Sequence, residues 1–186
     1  MNGGEPEDLL SKEITESISK AMGEWDWDVD ILELGEMEIA GCMGCFGCWM
    51  KTPGICVIDD ISRELARKMI SSDLLVYLTP IIFGGYSYHL KKAVDRMISV
   101  VLPFFEKVDG EIHHAKRYDR YPSFMAIGIA DSENESEERT FRELIARNAI
   151  NMHAPRFSSA VILRTDSLGS RQENLVKTLR DMGAVK

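Results

Sequence analysis

Three short apolar runs constrain this chain most: DLLVYLTP (73–80), SFMAIGIA (123–130) and SSAVILRT (158–165). Each has the length of a strand and lacks the polar alternation of a half-exposed one, so each is expected to be a strand buried on both faces. Helical patterns lie between and around them. Leu10, Ile14, Ile18 and Met22 recur four apart before Gly23, marking an opening amphipathic helix. Asp59 or Asp60 offers an N-cap to a helix carrying Ile61, Leu65 and Met69. Leu90, Val94, Met97, Ile98 and Val101 share the inner face of a helix that Pro103 stops. The acidic run DSENESEE opens a helix containing Phe141, Leu144 and Ile145, where carboxylates suit the positive end of the helix dipole. Leu175, Val176, Leu179 and Met182 mark a closing helix.

WDVDILEL (27–34) alternates polar and apolar residues and reads as an edge strand. The resulting β-α-β-α-β-α-β-α order, after an opening helix, predicts a doubly wound parallel sheet. Such a sheet binds ligands beyond the carboxyl ends of its strands. A five-stranded sheet of this kind needs one more strand before the first helix, and the chain has no residues there to make it. At 186 residues the whole chain, 1–186, is expected to form a single domain.

All four cysteines fall in GCMGCFGCWMKTPGIC (41–56), so the domain carries a cysteine-rich loop at 41–58. No export signal is visible in MNGGEPEDLL, which implies a cytoplasmic, reducing compartment. There, clustered cysteines serve as metal, cluster or redox ligands more often than as disulfides. Cys42, Cys45 and Cys48 are two residues apart and Cys56 follows after seven. Three thiolates of that spacing can reach one iron–sulfur cube, with the fourth arriving across the TPG turn. Zinc would accept the same four thiolates, although structural zinc sites usually draw on two well-separated pairs. Reducible thiols in a glycine-rich loop are the third reading.

Other classes are disfavoured. A net charge of −8 with dispersed basic residues leaves no footprint for nucleic acid. No apolar run approaches the roughly 18 residues of a membrane span. His113 and His114 are adjacent and lack a carboxylate at ligand spacing, which points to a loop or interface role rather than to metal.

GCMGCFGCWMKTPGICVIDD followed by SSDLLVYLTPIIFGGYSYHLKKAVDRM resembles the flavodoxin-like family of NAD(P)H-dependent FMN reductases, specifically its iron–sulfur flavoprotein branch. The likeness runs from about residue 27 to 105 and weakens afterwards. It implies a flavodoxin-like α/β fold whose strand order is 2-1-3-4-5, with the usual first strand missing here. It implies a [4Fe–4S] cluster on Cys42, Cys45, Cys48 and Cys56, and FMN against Thr79, Pro80, Ile81, Ile82, Phe83, Gly84, Gly85, Tyr86 and Ser87. In that loop Phe83 or Tyr86 would cover an aromatic face.

Lys91, Asp95 and Arg96 also match the family pattern and are expected to be structural. The implied activity is a flavin-dependent oxidoreductase or electron-transfer protein. It would move electrons between NAD(P)H or a redox protein, FMN and the cluster, with no side-chain acid or base required. The implied assembly is a homodimer or homotetramer, with Phe104 and Phe105 of VLPFFEK as an apolar contact. The family's phosphate loop bears Ser, Thr and Arg, whereas this chain has Glu5, Glu7 and Asp8. That departure favours the alternative, a diverged flavodoxin-like protein without flavin that retains a four-cysteine metal or redox-sensing site.

Overall fold

Why the three apolar runs lack alternation is plain in the computed structural model, which describes residues 1–108 and 110–184. They form β1 (Leu74–Pro80), β4 (Ser123–Ala130) and β5 (Phe157–Leu163), parallel and in the order β1-β4-β5. Leu74 stands opposite Ser123, and Phe124 opposite Phe157. Helices cover both faces: α1 (Leu9–Glu24), the short α2 (Gly47–Met50), α3 (Ser62–Ser71), α4 (Tyr88–Arg96), α5 (Glu135–Asn151) and α6 (Leu168–Asp181). Between α4 and β4 lie β2 (Val101–Val108) and β3 (Glu111–Lys116), an antiparallel hairpin.

Successive strand residues point to opposite faces, so each strand feeds two cores. Phe124 and Ala126 of β4 join Tyr77, Leu65, Leu90, Phe141 and Ile145 on one side. Met125, Ile127 and Ile129 join Leu78, Ile162 and the inner faces of α1 and α6 on the other. Both sets are fully or almost fully buried, and truncating such a side chain to alanine costs about 2–5 kcal/mol. The chain is therefore an α/β protein with a doubly wound parallel sheet, as its apolar runs predict.

Three expectations need correction. The place of the first strand is partly filled: Asn2 pairs in parallel with both Glu33 and Leu78, so residues 1–3 lie between the 28–34 segment and β1. That keeps the order in which the amino-terminal segment is central, over three residues only. Segment 27–34 makes a single bridge rather than a ladder, because the stub beside it is so short. Helix α4 does not run on to Pro103. It ends at Arg96, a 3-10 turn follows, and VLPFFEKV is strand, with Phe104 and Phe105 exposed on the hairpin. Proline and an outward apolar pair suit an edge hairpin as well as a helix stop, which is why the pattern misleads.

Candidate functional site

The loop after β1, Thr79–Ser87, is fixed from within. Thr79 is buried, and its Oγ1 accepts from the Ser87 N–H at 2.9 Å while donating to the Pro80 carbonyl at 2.9 Å. Ile82 and Gly85 exchange backbone hydrogen bonds of 3.1 and 2.8 Å around a tight turn. Its two central residues, Phe83 and Gly84, have φ of 51° and 76°. A turn with two positive φ values favours glycine, which Gly84 supplies and Phe83 does not. Phe83 nevertheless stands 91% exposed at the tip. Tyr86 is different: it is buried, edge-on to Tyr77 and Phe141, and its hydroxyl accepts from Asn148 Nδ2 at 2.7 Å. Burial pushes its phenol well above the ordinary tyrosine range. Of the two aromatics either of which was expected to cover a ring, Phe83 is exposed and Tyr86 is buried in the core.

Ser87 closes the loop and caps α4, accepting from the Leu90 N–H at 3.3 Å and donating to the Gly3 carbonyl at 2.5 Å. The amino-terminal turn is thereby held against the same loop. Two of its three carboxylates are paired. Glu5 meets His89 at 3.0 Å, and Asp8, the N-cap of α1, takes both terminal nitrogens of Arg164 at 2.9 Å. Arg164 also reaches Asp131 at 2.8 Å. The Arg164 hydrogen bonds hold the Asp8 carboxyl below its ordinary value, against the opposing effect of burial. Arg164 lies 156 residues from Asp8, and no local pattern in the sequence signals the pair.

Beyond the carboxyl ends of β4 and β5, beside Ile81, a cavity of about 530 Å³ is lined by Asp131, Glu133, Glu135, Glu137 and Glu138. That lining carries no Lys, Arg or His side chain to attract an anion. An FMN ring at this edge would meet the turn at 82–85 and the exposed Phe83. Arg164, at the start of α1, is already shared by two carboxylates.

The cysteine segment hangs from the other end of α4. Arg96 is buried, and its guanidinium donates to the Ala40 carbonyl at 2.7 Å, to the Ile58 carbonyl at 3.2 Å, and to both Asp60 oxygens at 3.0 and 3.1 Å. Asp60 in turn accepts from the Ala40 N–H at 3.0 Å and from the Ser62 hydroxyl at 2.5 Å. One planar fork thus ties the residues on either side of the loop that holds all four cysteines. Lys91 and Asp95 pair along α4 at 2.5 Å and do not touch the loop.

Inside the segment Gly44 has φ of 63°, a left-handed step between Cys42 and Cys45 that suits glycine. Trp49 anchors α2: its indole N–H is shared by the Ile98 and Val101 carbonyls at 3.1 and 3.0 Å. The same ring stacks on Phe46 at 5.1 Å and tilts against His114 at 4.8 Å. His114 is therefore a packing residue at the base of the hairpin, and its neighbour His113 pairs with Glu111.

Cys42 and Cys45 are exposed, Cys56 is half-buried and Cys48 is buried. Burial raises the Cys48 thiol above its ordinary value, and the nearby sulfurs of Cys56, Cys42 and Cys45 add to the rise. All four lie within one 15-residue stretch, Cys42 to Cys56, and four thiolates are the donor set of an iron–sulfur cube. Among the described residues, no group of three or more Cys, His, Asp or Glu is drawn together closely enough to hold a metal as it stands. Nor is any described helix long and apolar enough to cross a membrane.

Residues 6–118, more than half of the chain, match the family model described as NADPH-dependent FMN reductase. An iron–sulfur flavoprotein of Methanocaldococcus jannaschii is 28% identical over 141 residues, covering 75% of this chain and 64% of that protein. An iron–sulfur flavoprotein of Methanosarcina thermophila is 31% identical over 72 residues, 39% of this chain and 37% of that one. The chain thus spans less than two thirds of the length of these curated relatives. Among solved structures, an NAD(P)H:quinone oxidoreductase from Methanothermobacter marburgensis superposes with a TM-score of 0.69 at 12% identity, covering 97% of this chain and 92% of its own. An azoreductase from Bacillus anthracis gives 0.63 at 12% identity, covering 97% and 93%. These two likenesses establish the flavodoxin-like fold. Two curated relatives are thus called iron–sulfur flavoproteins, and the family match establishes more: the chain belongs to the NADPH-dependent FMN reductase family.

Proposed function

We propose that the protein is a flavin-dependent oxidoreductase of the electron-transfer kind, with FMN against Thr79–Ser87, a [4Fe–4S] cluster on Cys42, Cys45, Cys48 and Cys56, and NAD(P)H or a redox protein as donor. When bound, FMN accepts two electrons as a hydride and can release them singly, which suits a one-electron cluster beside it. What this chain supplies is position. Helix α4 is capped by Ser87, the last residue of the ring-binding loop, and ends at Arg96, which ties both ends of the cysteine segment. Nine residues of helix, about 13 Å, then set the spacing between the two loops. That single link is the observation that carries the reading.

Thr79 and Ser87 hold the loop backbone so that its amide edge and Phe83 face the ligand. Arg164, presented at the N-terminus of α1, is the cation available to a phosphate, and it must exchange Asp8 or Asp131 for that role. No side-chain acid or base is needed for hydride transfer to flavin. Homodimers or homotetramers belong to the same reading, supported by the exposed Phe104, Phe105 and Ile112 of the hairpin and checked by sedimentation.

Anaerobic reconstitution with iron, sulfide and FMN tests the proposal through the visible spectrum and metal and flavin assays. Flavin bands over a broad iron–sulfur shoulder are expected, with iron and sulfide in equal amounts. Cys45→Ser should lose the shoulder and keep the flavin bands. A colourless protein would overturn the reading, and iron without flavin would point instead to a four-cysteine redox site alone.

A further inference from the structure

Helices α5 and α6 end in the same turn and fill it differently. After α6 the Gly183 N–H donates to the Arg180 carbonyl at 2.8 Å and the Ala184 N–H to the Leu179 carbonyl at 3.1 Å, with Gly183 at φ of 71°. After α5 the His153 N–H donates to the Ile150 carbonyl at 3.0 Å and the Ala154 N–H to the Ala149 carbonyl at 2.9 Å, with His153 at φ of 52°. That left-handed step is the usual place of glycine. A histidine kept there at the cost of strain is one whose side chain is used.

The imidazole is buried, its side chain only 2% exposed. Its Nε2 lies 2.7 Å from the His114 carbonyl of β3, and since a carbonyl only accepts, that nitrogen carries the hydrogen. Glu106 of β2 stands 3.8 Å from the same nitrogen. The ring also packs against Tyr121 at 5.5 Å, whose hydroxyl accepts from the Arg117 N–H at 2.9 Å and donates to the Val100 carbonyl at 2.6 Å. One side chain at the end of α5 therefore meets both strands of the hairpin and the segment that leaves it.

The His114 side chain continues the line. Its ring lies between Phe105 at 4.7 Å and Trp49 at 4.8 Å, and its buried Nδ1 has no partner among the described residues. Packing and its own backbone set that ring, and the backbone is the part His153 holds. Trp49 directly follows the buried Cys48 in α2.

We propose that His153 is a positioning residue for the cysteine segment: it fixes β3 through the His114 carbonyl, the His114 ring fixes Trp49, and Trp49 keeps the neighbouring Cys48 buried. What this placement does for iron rests on the proposed four-cysteine cluster, whereas the placement itself is a property of the metal-free chain. The exposed Arg147–Glu111 pair joins the same helix to the same strand, but an ion pair open to water contributes little.

The test uses the metal-free 186-residue chain carrying His153→Gly or His153→Gln. Glycine relieves the turn and removes the imidazole, while glutamine keeps an N–H donor at a similar reach. In His153→Gly, exchange of the Trp49 indole N–H and alkylation of Cys48, read by mass spectrometry, should each speed up roughly three- to tenfold. Labelling of the exposed Cys42 should not change, nor should amide exchange at Phe141 and Ile145 inside α5, because glycine suits the end of that helix. His153→Gln should recover much of the protection at Trp49 and Cys48, which a purely steric role would not allow.

The proposal is overturned if His153→Gly leaves Trp49 and Cys48 as protected as before, or if glutamine recovers none of the lost protection. Equal acceleration at Phe141 and Ile145 would assign His153 to overall stability alone and overturn it as well. None of these readouts needs iron or flavin, so a chain that took up neither would defeat the proposed activity and leave the role of His153 to be decided by exchange and labelling.

Discussion

Two loops hang from opposite ends of α4 and are built on opposite principles. Thr79–Ser87 is closed from inside, by the Thr79 hydroxyl on the Ser87 amide, the backbone bridge between Ile82 and Gly85, and the buried Tyr86 on Asn148. The cysteine loop is tied at its mouth by Arg96 on Ala40, Ile58 and Asp60, and its second half is braced by Trp49, by the Gly54 N–H on the Cys48 carbonyl and by Arg63 on the Cys56 carbonyl, while Cys42 and Cys45 stay exposed. On the proposed reading, a flat organic ring would meet a loop already fixed before the ligand arrives. Thiolates that close around a metal from several directions would instead need the freedom of the exposed stretch that carries Cys42 and Cys45.

The mouth of the cysteine loop is where this contrast breaks most easily. Arg96→Ala leaves the half-buried Asp60 without its cation and two carbonyls without a donor; breaking a fully buried pair costs about 3–5 kcal/mol, and this partly exposed one should cost somewhat less. Urea unfolding should register that loss, and reconstituted iron should fall with it while the 79–87 loop persists. Arg96→Lys keeps the charge without the fork and should recover part of the stability and less of the iron.

Acid probes the same tie. Burial pushes the Asp60 carboxyl up, but the Ser62 hydroxyl and the Ala40 and Ser62 amides, with Arg96, hold it below its ordinary value. Its contribution is therefore fully present above the unfolded aspartate pKa of about 4 and is lost as pH falls through the lower folded value. Unfolding free energies measured from pH 7 down to 3 should decline below about pH 4, and less so in Asp60→Asn, which starts lower.

Much of this was readable in the sequence, and the physical reason is burial. Strands β1, β4 and β5 are covered on both faces, so their side chains record that directly as unbroken apolar runs. The amino-terminal stub left no trace, because three residues cannot show a period, and the segment at 27–34 lost its ladder for want of a neighbour. Within the site, the loop after β1 and the four cysteines are contiguous and so were legible. Arg164 on Asp8 and Arg96 on Asp60 are joined across 156 and 36 residues, and a charged residue gives no local sign of its distant partner. Tyr86 packs in the core, and a tyrosine in a glycine-rich loop reads the same whether it faces a ligand or the core.

Within the rigid loop the expected effects are smaller. Thr79→Val keeps the shape and removes the acceptor of the buried Ser87 N–H, at about 1–3 kcal/mol. Tyr86→Phe removes one hydroxyl from Asn148 and should cost about 0.5–1.5 kcal/mol. Both changes loosen the loop, so flavin affinity, followed by fluorescence quenching, should weaken in the same order as stability. If Thr79→Val weakened iron retention more than flavin, the two loops would not be independent, and the contrast between them would fail.

Phe83 supplies the finest test, because stability and function should move in opposite directions there. Its φ of 51° places a bulky side chain in the left-handed region, at a cost of roughly 1–2 kcal/mol. The ring is 91% exposed, so packing within this chain returns little of that cost. Phe83→Gly relieves the strain, and the extra freedom it gives the unfolded chain offsets part of the gain. The net change should be a stabilisation of a few tenths of a kcal/mol, visible as a small rise in the urea midpoint. Flavin affinity should fall instead, by several-fold, because the ring presented at the turn is gone. Strain kept at a loop tip that only a ligand would use is the pattern of a binding site. A Phe83→Gly variant that gained stability and bound flavin unchanged would show that the aromatic at this turn has no part in holding the ring.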